Sequence, residues 1–568
     1  GILPLRSGSR IAVVGPLANV AKHDWYSGTP PYAVSLVEAA SQSHHVDFHD
    51  GADHMVLRST TTGFPVARAA DGAIVADQDI PHDECVVAIT AWDTETLTIR
   101  HEASGLLWRG DDEGLMQVDA ARPDGWITSQ TFTPAAHADG TWSLMHQATR
   151  RWLRVASWGG LITATAPDLE SAERFTADLV SHGAAEVARL AAEADVVLVT
   201  AGNDPHIGGR ETQDRRSLAL PYAQHQLWDE AIEANPNCVL VVMSSYPYEI
   251  GDIAASARAV VWSSHAGQEV GNGLMDVLDG RHEPTGRLAQ TWWAADADIG
   301  DIFDYDIIGS EMTWWYNQAT PLYPFGHGLT YGEVSYLDVK LPGGIDAPAI
   351  VRVRNTGHRP AHELVQVYAS SQDPRIGRRL LGSTRQVIAP GATIDVEVPL
   401  AASRLEVWVP ELDAFDLPEC DWSVVAAASA ALDGPSCTVA TTARNPLGPG
   451  TFPLYAWHAP VWDSVEGVPV DTLTGTAYRP RSDSGRIAWP RVEPMPRLMT
   501  LRLRAGLGAH GRVIVVCGGH VRIARPDPAA GTHWHEVTID CPAPGETSLE
   551  LRLHGDIAIA EIGSAEAG

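Results

Sequence analysis

Gly202-Asn203-Asp204-Pro205-His206-Ile207-Gly208-Gly209-Arg210-Glu211-Thr212-Gln213-Asp214-Arg215 follows the apolar run Asp195-Val196-Val197-Leu198-Val199-Thr200 and precedes Leu218-Ala219-Leu220-Pro221. The apolar run reads as a buried strand, and the Leu-x-Leu-Pro leads into a helix. A strand that empties into a polar, glycine-bearing loop sets that loop at the carboxyl edge of a sheet, where α/β proteins bind ligands. Arg210 and Arg215 flank the carboxylates of Glu211 and Asp214. They could hold either one ionised, or leave one poised to exchange a proton. The competing reading is a surface ion-pair loop without chemistry.

Working outward, 11–15, 238–243 and 259–262 read as further short, Val-rich strands, with another near 45–49. They alternate with helical stretches near 33–42, 183–194, 222–235 and 268–279. That alternation predicts a parallel α/β sheet. Residues 54–180 interrupt it with a weak repeat of roughly 40–45 residues. Leu57-Arg58-Ser59 with Gly72-Ala73-Ile74 recurs as Leu97-Thr98-Ile99 with Gly114-Leu115-Met116, and as Trp142-Ser143-Leu144 with Gly160-Leu161-Ile162. Each unit reads strand, turn, strand, turn, strand, then an aromatic such as Trp126, Phe132 or Phe175. Three such units resemble the β-trefoils of fascin-like and ricin-like modules. Their aromatics could bind sugar or fill the core.

After Tyr331 the pattern is all-β. Ile350–Gly357 and Glu363–Tyr368 alternate at period two across a turn. Residues 435–450 are rich in Gly, Pro, Ser and Thr and read as a linker. The runs at 498–504, 511–517 and 548–553 read as a C-terminal sandwich, loosely similar to carbohydrate-binding module family 6. There Trp457, Trp462 and Trp489 could stack on sugars or be buried.

Five motifs in order resemble glycoside hydrolase family 3: Gly15-Pro16-Leu17-Ala18-Asn19, Tyr26-Ser27-Gly28-Thr29-Pro30-Pro31, the Glu211 loop, Gly286-Arg287-Leu288, and Tyr323-Pro324-Phe325-Gly326-His327-Gly328-Leu329-Thr330-Tyr331. The second is similar to the β-xylosidase-like branch. The resemblance runs over roughly residues 1–430, with the insertion. It implies a multidomain chain of α/β plus all-β parts. An α/β sandwich would hold 1–53 plus 181–330, interrupted by the trefoil-like module at 54–180. A fibronectin type III-like sandwich follows at 331–434, and a jelly-roll-like sandwich at 451–568.

The same resemblance implies a retaining β-glycosidase acting on β-xylosides or β-glucosides. Such enzymes need two carboxyl groups about 5–5.5 Å apart. In the family the nucleophile is an Asp on an N-terminal (β/α)8 barrel, and the acid/base Glu comes from the next domain. Glu211 is the acid/base candidate, although Thr212 replaces the commoner glycine. Asn203, Asp204, Arg210, Asp214 and Arg215 are the substrate-binding candidates of its loop. Trp25 and Tyr26 are candidates for a pocket wall. His265 could reach the same edge or be a hydrogen-bonded core residue, and Glu269 reads as structural at a helix start. His23-Asp24-Trp25 mimics a nucleophile motif, but Asp24 lies where the family places subsite residues and is assigned no nucleophilic role. The phrase Gly1-Ile2-Leu3-Pro4-Leu5 lies just after the family's first domain, so the chain is expected to be a fragment or processed piece, inactive alone. The alternatives are a non-catalytic carbohydrate-binding or scaffold fragment, or a protein-interaction assembly.

Bulk properties agree with a sugar-binding chain. The 568 residues carry a formal net charge of −31, which repels nucleic acid and anionic membranes, whereas a neutral carbohydrate is not repelled. The expected partners are the carbohydrate substrate and, as the resemblance implies, an N-terminal barrel domain, with a homo-oligomer left open. The six cysteines are scattered without Cys-x-x-Cys, so neither a metal nor a cofactor is expected. Their low density fits a reducing compartment, with the cytoplasm favoured. Cys238 and Cys517 read as core thiols. There is no run of 18 apolar residues, which speaks against a transmembrane helix.

Overall fold

The computed structural model describes residues 1–442, apart from 78–79, 94, 158, 212–213, 373–375 and 410–413, and the strands between 451 and 564. Five parallel strands form the N-terminal sheet, in the order Ala259–Ser263, Cys238–Met243, Val196–Gly202, Arg10–Val14 and His45–His49. Their side chains alternate between two cores, as the pleat requires. Ala12, Val14, Val197 and Val199 pack with Val187 and Trp228 from helices Gly183–Glu193 and Tyr222–Ala234. Ile11, Val13, Val196 and Leu198 pack with Leu36, Leu274 and Met275 from helices Leu36–Ala40 and Val270–Leu278. Helices thus cover both faces of the sheet. A short helix, Gly251–Ser256, had no clear sequence signal.

The strand order sets the site. The chain runs from the first strand, Arg10–Val14, to one side at His45–His49, then returns to the other side at Val196–Gly202. The connections leaving these two adjacent strands, to His45–His49 and to Cys238–Met243, therefore run in opposite directions. Between Arg10–Val14 and Val196–Gly202 lies the switch-point crevice in which such sheets bind ligands. The loops after Val14 and after Gly202 both open into it.

The inserted run of strands begins at Asp53 and ends at Ser181. Its first and last strands, Asp53–Ser59 and Phe175–Ser181, pair antiparallel and bring His54 opposite Ser181. The Asp53 carboxylate accepts from the Gly183 backbone N–H at 2.9 Å, fixing the point of return. Each of the three repeat units contains four strands, one more than the repeat suggested. Phe132 and Phe175 are fully buried in the module's core, with Trp108 and Leu144. Trp126 is not part of that core and is 49% exposed. Because the module's ends lie side by side, replacing 53–181 by a short Gly-Ser linker should leave a domain that still melts in one cooperative transition. Calorimetry of that variant checks this, and a broad, non-cooperative melt would contradict it.

Strands Val334–Lys340, Ala349–Asn355 and Thr393–Val398 form one antiparallel sheet. Arg378–Ile388, Ala361–Ser371, Cys420–Ala427 and Ser436–Thr441 form another. They share a core around the fully buried Trp422. This corrects the linker expected at 435–450: Ser436–Thr441 turns Cys437 and Val439 toward the core and Ser436 and Thr438 to solvent, and it pairs along Cys420–Ala427. Residues 443–450 lie outside the described residues. Gly326, from the Tyr323–Tyr331 motif, ties the sandwich to the first domain. Its carbonyl accepts from Gln366 at 3.1 Å, and its N–H donates to Leu288 at 2.8 Å.

The strands from Thr451 to Ser564 form two antiparallel sheets, of six and five strands. They include Leu498–Ala505, Arg512–Cys517 and Thr547–His554, close to the expected runs. Trp457 and the side chains of Trp462, Trp489 and Cys517 lie outside the described residues. Cys238 is fully buried, and burial pushes its thiol up to about 12. Among the described residues no helix is long and apolar enough to cross a membrane.

Candidate active site

Two glycines shape the switch-point loops. Gly202 ends its strand at φ +139°, and a Cβ there would stand 2.1 Å from the Met243 carbonyl oxygen. The Gln224 side-chain amide brackets Gly202, accepting from its N–H at 2.8 Å and donating to its carbonyl at 3.0 Å. Gly15 turns the first loop at φ +107°, where a Cβ would meet the Thr200 carbonyl at 2.3 Å. Thr200 Oγ1 donates to the Val14 carbonyl at 3.0 Å and accepts from the Leu17 N–H at 3.3 Å. The two loops are thereby fixed to adjacent strand ends.

Beneath them lies a buried charge pair. Asp204, 1% exposed, faces Lys22 Nζ at 2.7 Å. Its other oxygen accepts from the His206 backbone N–H at 2.9 Å, with His206 Nδ1 at 3.4 Å. Burial opposes ionisation of Asp204, but Lys22 and His206 outweigh it and hold the carboxyl well below the usual carboxylate range. Asn203 is also buried, and its Oδ1 lies 3.2 Å from His265 Nε2. Burial pulls His265 down to about 4, so it is neutral near pH 7. Asp204 and Asn203 were expected to touch substrate. Both side chains are buried.

Glu211 is exposed at the rim. The Tyr26 hydroxyl donates to its Oε2, and this bond to Glu211 raises the Tyr26 pKa, keeping the phenol a donor. Trp25 packs beside Tyr26 with ring centroids 6.1 Å apart and against His206 at 4.8 Å. The expected pocket wall therefore stands next to the expected acid/base. Asp24 turns inward on its own loop, with Oδ1 accepting from the N–H groups of Tyr26 and Ser27 and from the Ser27 hydroxyl. That engagement fits its exclusion as a nucleophile. Glu269 precedes helix Val270–Leu278 and accepts from Asn272 Nδ2 at 2.6 Å and from the Tyr32 hydroxyl, in keeping with a structural reading.

The arginines take partners that spacing did not suggest. Arg215 lies over Tyr246 and Tyr248, 4.9 and 4.8 Å from their ring centroids, and donates to the Pro247 carbonyl at 3.0 Å. Arg210 donates to the Trp126 carbonyl at 3.2 Å and to Thr128 Oγ1 at 2.9 Å, both in the inserted module. Their described contacts thus anchor the ends of the loop, in place of the expected clamp on Glu211 and Asp214. Asp214 is exposed beyond Glu211, and Thr212 lies outside the described residues.

Sequence reading missed Lys22, His206 and Trp126. One signal was available: Lys22 is one of only two lysines in the chain. Elsewhere, His49, Asp50 and His54 bring one ligand atom each within 4.8 Å of one another. Asp50 is already engaged by Arg100 there.

An α/β domain with a carboxylate at its switch point, an inserted β module and appended antiparallel β sheets defines the class. A family model described as the glycosyl hydrolase family 3 C-terminal domain matches residues 1–331. The chain belongs to glycosyl hydrolase family 3. A β-glucosidase of Rhizobium radiobacter is 30% identical over 344 residues, which cover 56% of this chain and 41% of that protein. A xylan 1,4-β-xylosidase of Xylanibacter ruminicola is 29% identical over 215 residues, covering 37% of this chain and 25% of that protein. The chain spans less than half the length of these curated relatives. In fold it is similar to the GH3 β-glucosidase of Bifidobacterium adolescentis (TM-score 0.51, 17% identity, 79% of this chain and 51% of that one). It is likewise similar to a β-glucosidase of Streptomyces venezuelae solved with D-glucose (TM-score 0.51, 20% identity, 78% of this chain and 57% of that one).

Proposed function

We propose that this chain supplies the acid/base carboxylate, Glu211, of a retaining β-glycosidase that cleaves β-glucosides or β-xylosides. The observation that carries the reading is the exposed Glu211 carboxylate at the switch point, oriented by the Tyr26 hydroxyl. One oxygen is held by Tyr26, and the other can face a leaving-group oxygen. As a carboxylic acid Glu211 protonates that oxygen, and as a carboxylate it then takes the proton of the attacking water. The nucleophilic Asp comes from an N-terminal barrel. Among the described residues the only parallel sheet is the five-stranded one, which cannot serve as that barrel. On the same reading the inserted units form a β-trefoil, 334–441 a fibronectin type III-like sandwich, and the C-terminal sheets a jelly roll.

With one suitably placed carboxylate of the two required, the pure 568-residue chain should release no measurable product from aryl β-glucosides or β-xylosides. Mixing or fusing it with a family 3 barrel should create activity. Robust hydrolysis by the chain alone would refute the division of labour and return attention to Asp24. Failure of every barrel combination, with the chain folded, would favour a non-catalytic scaffold.

A further inference from the structure

The chain passes from the α/β domain into the inserted module through a cluster of imidazoles and carboxylates. His49 ends the strand His45–His49, Asp50 follows it, and His54 lies on Asp53–Ser59, the module's first strand. One ligand atom from each lies within 4.8 Å of the other two, and among the described residues no other three His, Cys, Asp or Glu side chains meet this closely. The His49 and His54 rings stack with centroids 5.8 Å apart. His54 Nε2 is buried and makes no hydrogen bond, with Glu102 Oε2 3.8 Å away. His49 Nδ1 lies 3.9 Å from Asp50 Oδ1 and accepts from the Gly51 N–H at 3.0 Å. Burial pulls the His49 pKa down, so the ring is neutral near pH 7 and keeps a lone pair to offer. Asp50 divides its oxygens: Oδ2 accepts from Arg100, and Oδ1 accepts from the Ala52 N–H at 3.0 Å. A carboxylate oriented through one oxygen can still ligate through the other, and such outer partners are the usual way a metal ligand is aimed.

We propose that His49, Asp50 and His54 bind a divalent cation of the zinc type, which ties the inserted module to the edge of the parallel sheet. Two imidazoles and one carboxylate suit Zn²⁺, whereas Mg²⁺ and Ca²⁺ favour oxygen ligands throughout. Zn²⁺ holds such atoms at about 2.0–2.2 Å, which sets them about 3.4 Å from one another in a tetrahedron. Small side-chain rotations therefore close the present spacing. A cation also supplies the partner that the buried His54 Nε2 lacks, and water or Glu102 fills the fourth position. The His49 carbonyl accepts from the Gly15 N–H at 3.0 Å, so the bound ion would brace the backbone that turns the first switch-point loop. The scattered cysteines gave no sign of this site, because its ligands are imidazole and carboxylate, gathered by a strand end and the strand that follows it.

The test uses the 568-residue chain without a histidine tag, stripped with a chelator, dialysed and titrated with ZnCl₂ by calorimetry. One equivalent should bind. His49→Gln and His54→Gln should each weaken binding by at least about 100-fold, since loss of an outer partner alone costs about 10–100-fold. Zn²⁺ at about 100 times its Kd should raise the melting temperature of the wild type by about 4 °C and that of neither variant. Mg²⁺ and Ca²⁺ should leave it unchanged, and Co²⁺ should give the intense visible absorption of a tetrahedral site. Hydrogen exchange on the wild type locates the ion without any variant: Zn²⁺ should slow the amides of residues 45–56. Absence of Zn²⁺ binding, undiminished affinity in both variants, or slowed exchange confined to another segment overturns the site. A larger response to Ca²⁺ than to Zn²⁺ overturns the assigned class of cation. None of these measurements depends on turnover, so they stand or fall separately from the assignment of Glu211.

Discussion

In the barrel-completed enzyme, Glu211→Gln should lower turnover of a disaccharide by about 10²–10⁴-fold, the usual worth of positioned acid–base help. The loss should depend on the leaving group. Glutamine still fills the place beside Tyr26, whose hydroxyl now faces an amide in place of the carboxylate oxygen. It can neither protonate a sugar hydroxyl nor activate water. An activated aryl glycoside needs little protonation, so its first step should survive and a covalent glycosyl-enzyme should accumulate. Mass spectrometry of the quenched enzyme should detect that adduct. Azide or formate should restore turnover of the aryl substrate, since a small anion can take the place of activated water. Asp214→Asn should disturb the loop without such rescue. Near-full activity of Glu211→Gln on a disaccharide, together with azide rescue of Asp214→Asn, would transfer the acid/base role to Asp214.

Lys22→Met should destabilise the α/β domain by about 3–5 kcal/mol near pH 7, the usual cost of removing one partner from a buried ion pair. Asp204 is 1% exposed and Lys22 Nζ lies 2.7 Å from it, so the remaining carboxylate would sit buried with only the His206 contacts to offset its burial. The pH dependence distinguishes this from a simple packing loss. In the wild type the folded pKa of Asp204 lies below its unfolded value. Its contribution is therefore present above the unfolded value of about 4 and is lost as pH falls through the folded one. Without Lys22, burial dominates and the folded pKa rises above the unfolded value. The variant's deficit should then be greatest near neutrality and shrink as pH falls toward about 4, where the folded state takes up the proton. Melting temperatures of both proteins over that range check this, and parallel curves would contradict it. Adding Asp204→Leu should recover much of the stability, because no orphan charge then remains.

The parts of the fold legible in sequence are those set by local chemistry. Continuous Val-rich apolar runs mark the strands around 11–15, 195–200 and 238–243, which are buried on both faces, and Leu-x-Leu-Pro marks the helix that starts at Tyr222. The linker reading at 435–450 failed because Ser, Thr and Cys are compatible with an edge strand once a neighbour offers its backbone. Trp126 fell among the repeat's aromatics in sequence, and nothing local separates an exposed tryptophan from the buried Phe132 and Phe175.

Sequence by itself determined the family, the alternation of helix and strand, and the position of Glu211 after a buried strand. Only the tertiary structure decided the company Glu211 keeps. Placing Val196–Gly202 beside Arg10–Val14 brings the 202–215 loop against Lys22, Trp25 and Tyr26. Folding of the insertion carries Trp126 and Thr128 to Arg210, 84 and 82 residues away along the chain. Local sequence fixes which elements form, through side-chain periodicity and backbone preference. Which charge is neutralised, and which ring stands beside a carboxylate, depends on the order in which strands assemble and on where the connecting loops are thereby aimed.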